Sequence, residues 1–145
     1  MIPFFVMLAA IVASRGIGAF VWDQLDDWQI ATRVGLAVMF LFTAVAHFNR
    51  TREDLIRMVP PQFPNPSTLV TITGIAEIAG AIGLLLPSTA RWAAYGLILL
   101  LVALFPANIR AARAGLTIRG RPATPLTLRL PLQLLWIGLL AWSSV

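Results

Sequence analysis

The stretch Thr73–Leu85, TGIAEIAGAIGLL, decides how this chain must be read. Its residues are apolar or small almost throughout, and one is a carboxylate, Glu77. An unpartnered carboxylate in such surroundings is costly. Either the stretch does not lie in an apolar interior, or Glu77 has a partner, as a structural ion pair or hydrogen bond or in a functional role. On a helix, Thr73, Ala76, Glu77, Gly80 and Leu84 share one face. Ala76 and Gly80, like Ala79 and Gly83, have the small-xxx-small spacing that lets helix backbones approach closely. Glu77 therefore belongs to a packing face and points into a bundle.

The rest of the chain has the same character. Of 145 residues, 59% are hydrophobic and 12% charged, where a soluble domain carries about a quarter charged residues. A domain this small has too much surface to hide that apolar content in one core, so its natural solvent is a bilayer. The net charge is +5 and every basic residue is Arg. These arginines fall between apolar segments and form no polar stripe, which argues against nucleic acid as a partner. The absence of Cys excludes disulfides, thiolate metal sites and covalent haem attachment, and a single histidine, His47, excludes a bis-histidine haem within one copy. No metal site and no intrinsic cofactor are expected.

A helix needs about 20 residues to cross the hydrocarbon, and lipid offers no partner to an open backbone amide. Five segments qualify: Ile2–Val21, Gln29–Phe48, Ser67–Leu86, Arg91–Ala111 and Leu128–Ser144. The expected fold is all-α, a single membrane domain with a four-helix core and an extra N-terminal span. Asp26 or Asp27 is placed to cap the second span and Ser67, after Pro66, the third. Ser88 or Thr89 precedes the fourth, and Pro131 is tolerable only near the start of the fifth. The first segment is read as a retained span and not a signal peptide. It has no basic leading region, Arg15 interrupts it, and no small-residue cleavage site follows.

Charge orients these spans. Arg50, Arg52, Arg57, Arg113, Arg119 and Arg121 fall on one side, and Asp23, Asp26 and Asp27 on the other. The positive-inside rule puts the arginine side in the cytoplasm, with the N-terminus inside and the C-terminus outside. Trp22, Trp28, Trp92 and Trp142 then form an outer interfacial belt. A multi-pass membrane protein is expected. In TREDLIRMVPPQF, Thr51–Phe63, the apolar residues Leu55, Ile56, Met58 and Val59 can dip into the interface while Arg52, Glu53 and Arg57 stay in water. That segment reads as a surface connector, with a lid or docking site as the alternative. A faint repeat relates Gly35–Arg50 to Gly96–Arg110, aligning His47 with Asn108 and Glu77 with Gln133.

Depth gathers the polar residues. Glu77 lies near mid-membrane, His47 and Asn108 end inward-running spans, and Arg129 and Gln133 share a face at i, i+4. Pro106 can open its helix beside them. The expected site is one inner-half pocket lined by His47, Glu77, Asn108, Arg129 and Gln133, with Arg15 and Arg33 as possible charge partners of Glu77 from the outer half.

The run GLAVMFLFTAVAHF, then RMVPPQFPNP, TGIAEIAGAIGLLLP, FPANIRAA and RLPLQ, resembles the DoxX-like family of small bacterial membrane proteins. The likeness covers Arg33 to about Trp142. It implies a four-helix membrane core, and the family includes a proposed thiosulfate:quinone oxidoreductase subunit and chaperone-like relatives. Matched motif by motif, it selects His47, Glu77, Asn108, Arg129 and Gln133 again. The functional expectation is a binding subunit for a small amphipathic ligand, a quinone being the leading case, with a redox partner protein. A membrane scaffold and a small proton-coupled transporter, either of them oligomeric, are the alternatives.

Overall fold

The computed structural model describes residues 2–21 and 23–145, the side chains of Asp23 and Gln24 excepted. Among these residues, five helices are long and apolar enough to cross a membrane. They are α1 (Ile2–Phe20), α2 (Trp28–Ala44, extended by a 3₁₀ turn through His47), α4 (Pro66–Leu85), α5 (Ala90–Arg113) and α6 (Leu126–Ser143). A short helix, α3 (Arg52–Met58), lies between α2 and α4. The expected spans agree with these helices to within two residues at each end.

Neighbouring helices run antiparallel, as their contacts show. Thr43 of α2 meets Glu77 of α4, Gln133 of α6 meets Leu101 of α5, and Gln29 near the start of α2 reaches the Trp142 carbonyl at the end of α6. Helices α2, α4, α5 and α6 each pack on two others of the four and close a ring. Helix α1 lies outside the ring against α2. The core is Leu36, Ala37, Met39 and Phe40 of α2 with Ala81 and Leu84 of α4, Ala94 and Leu97 of α5, Leu140 of α6 and, from α1, Met7.

The small residues set how close the helices come. A Cβ on Gly80 would lie 2.5 Å from the Leu97 side chain, and one on Gly83 would lie 2.7 Å from the Ala93 Cβ. Both glycines therefore bring α4 onto α5, as the small-xxx-small spacing requires. Val12 and Leu99 are each 70% exposed on the outside, while Glu77 is 6% and Gln133 6% exposed inside. An apolar exterior with its few ionisable and amide groups turned inward is the arrangement a bilayer favours.

Of the two expected caps of α2, Asp27 is the one used, its carboxylate accepting from the N–H groups of Gln29 at 2.7 Å and Ile30 at 2.9 Å. Other local expectations are corrected. Ser67 does not cap α4: Pro66 already occupies the first turn, and Asn65 turns the chain into it at φ 52°. Proline is at home there because its missing N–H would have had no partner. Pro131 lies deeper in α6 than expected, since that helix starts at Leu126, and so it removes a bond from the helix interior. Helix α5 continues through Pro106 to Arg113 without a break.

The connectors are structured too. Thr117–Ile118 pairs antiparallel with Arg121–Pro122, turning at Arg119 (φ 54°) and Gly120 (φ 73°), the left-handed pair that a two-residue hairpin demands. The Arg119 N–H donates to Asp54 Oδ2 at 2.8 Å, tying this ribbon to α3. Arg110 donates to the Val59 carbonyl from α5. Arg52 was expected to stay in water and instead donates to the carbonyls of His47 and Ser67 and the hydroxyls of Ser67 and Thr71. The segment after His47 is therefore stapled across the arginine-rich end of the bundle. Three of the four tryptophans assigned to the opposite end, Trp28, Trp92 and Trp142, are exposed. Trp22, the fourth, lies outside the described residues.

Candidate functional site

A cavity of about 710 Å³ occupies the half of the bundle toward the arginine-rich end. His47, Glu77, Asn108, Arg129 and Gln133 all line it. Apolar side chains make up most of the remaining wall, including Phe40 and Phe42 of α2, Leu104 of α5, and Leu132 and Trp136 of α6. The stapled segment contributes Leu55, Met58, Val59 and Pro60, so it covers the cavity and is more than a surface connector. Ile2, Pro3 and Phe4 of α1 complete the wall.

The polar residues divide into two sets. On the α2–α4 wall, the Thr43 hydroxyl donates to Glu77 Oε2 at 2.8 Å and lies 3.0 Å from the Phe40 carbonyl. One hydroxyl proton serves one of these acceptors at a time. His47 Nδ1 is 2.8 Å from the Val70 carbonyl. That carbonyl only accepts, so Nδ1 carries a proton, and Nε2 faces Glu77 Oε1 at 3.5 Å. The two side chains thus meet across the α2–α4 interface.

On the α5–α6 wall, Arg129 donates to Asn108 Oδ1 and Gln133 Nε2 donates to the Leu101 carbonyl at 3.0 Å. No ion pair joins Glu77 to Arg129 across the cavity. On the first wall His47 Nδ1 also lies 3.4 Å from Thr73 Oγ1, and on the second Asn108 bonds Arg129, four residues before Gln133.

Arg15 and Arg33 are not the charge partners of Glu77. Arg15 pairs with Asp26 and stacks 4.5 Å over the Trp28 ring, because α1 lies outside the ring of four and its second half meets the turn before α2. Arg33 Nε is buried without a partner, one turn into α2 and far along that helix from the level of Thr43.

Sequence reading passed over four contributors. Thr43 is the direct donor to Glu77, although its place one turn before His47 was visible. Gly74 admits the histidine: a Cβ there would lie 2.6 Å from His47 Cβ. Its signal was its position in TGIAE, beside Thr73. Arg52 holds the His47 carbonyl. Trp136, at i+7 from Arg129, lines the cavity with a buried indole Nε1 that has no hydrogen-bond partner. Among the described residues, no group of three or more His, Asp or Glu side chains is placed to hold a metal ion.

The architecture defines a helical bundle of membrane-spanning dimensions whose mostly apolar cavity carries His47, Glu77, Asn108, Arg129 and Gln133 in its wall. A family model described as a domain of unknown function, DUF8561, matches residues 36–145, and the chain belongs to that family. All five candidate site residues fall inside the match, while α1 lies outside it. No curated protein and no solved structure matches the chain.

Proposed function

We propose that this protein is a multi-pass protein of a bacterial inner membrane, N-terminus inside, that binds a small amphipathic ligand, best a quinone, in the cavity between α2–α4 and α5–α6. The observation that carries the reading is the opposition of two polar walls across an apolar space. Glu77 is held by Thr43 and His47, Arg129 by Asn108, and neither set bonds the other. A polar network serving only to fix helix packing would join these walls directly, since uncompensated polar groups are costly in hydrocarbon.

The residues present fit a quinone. The space between the walls is mostly apolar, Arg129 offers a head-group oxygen its N–H donors, and the Trp136 indole N–H is without a partner. When bound, such a group would supply two-electron redox chemistry, and the electrons would come from a redox partner protein. The chain's own share is to hold the head group, exclude water and pass protons through Glu77 or His47, whose side chains meet at 3.5 Å. The resemblance to DoxX-like proteins supports the same reading.

The test is quinone binding to protein purified in mild detergent. Glu77→Gln and Arg129→Ala each weaken binding on this reading, and unchanged binding in both variants refutes it. A non-catalytic scaffold is the second reading, favoured by the fact that Glu77 already has two internal partners. On that reading Glu77→Gln lowers the unfolding temperature and partner capture while no ligand binds.

A further inference from the structure

Trp136 lines the cavity, and its indole N–H is buried with no hydrogen-bond partner among the described residues. Buried tryptophan N–H groups usually find an acceptor, and an indole can only donate. Trp136 is seven residues after Arg129, two helical turns on the same face of α6, with Gln133 between them. The Gln133 amide nitrogen is already engaged at the Leu101 carbonyl. Arg129 carries five N–H donors and its described side-chain bond is to Asn108. Helix α6 therefore carries unused donors on residues at two levels of the cavity wall.

We propose that Trp136 is a ligand-binding residue, and that with Arg129 it makes α6 a donor wall selecting amphiphiles whose head group presents acceptor oxygens. This rests on the ligand-binding reading above and narrows the ligand class. A head group with two acceptor oxygens meets Arg129 near the cavity mouth and the Trp136 N–H deeper in. A hydrocarbon of the same shape leaves both donors unpaired, and sites built to hydrogen-bond a ligand reject analogues that lack the partner atom.

The experiment uses the full-length protein in detergent and three probes: a short-chain alkyl-1,4-benzoquinone, the alkylbenzene of equal chain length, and a long-chain fatty acid. The quinone is expected to bind the wild type, and Trp136→Phe to weaken it about five- to tenfold, the loss of one buried hydrogen bond. Trp92→Phe, at an exposed position outside the cavity lining, leaves affinity unchanged. The alkylbenzene binds wild type and Trp136→Phe equally weakly. In ¹⁵N-indole-labelled wild type, with the other tryptophans assigned by single Phe substitutions, the Trp136 N–H resonance shifts downfield on adding quinone and not on adding alkylbenzene. This second measurement holds even if Trp136→Phe does not fold. Quinone binding that is lost in Arg129→Ala but unchanged in Trp136→Phe, with a stationary Trp136 resonance, overturns the inference and leaves the functional reading standing. Trp136-dependent binding of the fatty acid without any quinone binding supports the donor wall and removes the quinone. Absence of binding by all three probes removes both.

Discussion

Glu77 and Arg129 line one cavity and do not pair. Glu77 is 6% exposed and is held by Thr43 at 2.8 Å and His47 at 3.5 Å, while Arg129 bonds Asn108 on the facing wall. An acid and a guanidinium inside one bundle ordinarily approach each other, because the low dielectric strengthens their attraction. Here each is positioned by neighbours on its own helix pair, which leaves the space between them for something else.

The Thr43 hydroxyl is the short contact to Glu77, so its removal should be felt. Thr43→Val keeps the shape and leaves Oε2 without that donor, at an expected cost of about 1–3 kcal/mol. Thr43→Ser keeps the hydroxyl and should cost less than about 1 kcal/mol. Unfolding of the two variants in the same detergent gives the order; equal stabilities would mean that the 2.8 Å contact contributes nothing.

Gly74 is the point where α4 admits His47. Gly74→Ala puts a methyl 2.6 Å from His47 Cβ and 2.9 Å from its Cγ, so the ring must shift. The expected cost is about 1–3 kcal/mol, with weakened ligand binding as Nε2 moves off Glu77. Gly138→Ala, where a Cβ meets nothing within 4 Å, should be neutral or stabilising by up to about 1 kcal/mol. Thermal unfolding of the pair separates close packing from helix propensity.

Arg52 ties the end of α2 to the start of α4 through the carbonyls of His47 and Ser67 and the hydroxyls of Ser67 and Thr71. Lysine has the charge but not the planar fork, so Arg52→Lys cannot reproduce this set. Hydrogen exchange at residues 52–58 should speed up while exchange in the core of α2 and α4 stays slow. Uniform loss of protection along the whole chain would show that Arg52 supports global folding and not the cover of the cavity.

The native chain lacks cysteine, so single cysteines report orientation without background. Ser88→Cys, in the turn before α5, should react with a membrane-impermeant maleimide on intact cells. Arg113→Cys, at the end of α5, should react only after the membrane is opened. The reverse pattern inverts the proposed orientation.

Asp27 caps α2 through two backbone bonds. Asp27→Ala should lower stability by about 1 kcal/mol, and Asp27→Asn by less, because an amide oxygen still accepts. Circular dichroism melts in detergent measure both.

The helices were legible because their signal is local. A run such as Pro66–Leu85 is long and apolar enough by itself, and Pro66, Pro87 and Asp27 punctuate the ends. The depth of each polar residue followed from counting along those helices. That is why His47, Glu77, Asn108, Arg129 and Gln133 could be placed at one level before any packing was seen. Counting along a helix does not give rotation or register between helices. Those depend on side-chain fit at close approaches, such as Gly74 on His47 and Gly80 on Leu97. Only the tertiary structure could decide that Thr43 serves Glu77, that Arg15 turns to Asp26 and Trp28, and that residues 52–60 cover the cavity. The sequence alone determined that an acid would be enclosed by this bundle. The packing decided which neighbours hold it and that Arg129 faces it unpaired, because partner choice depends on contacts between segments distant along the chain.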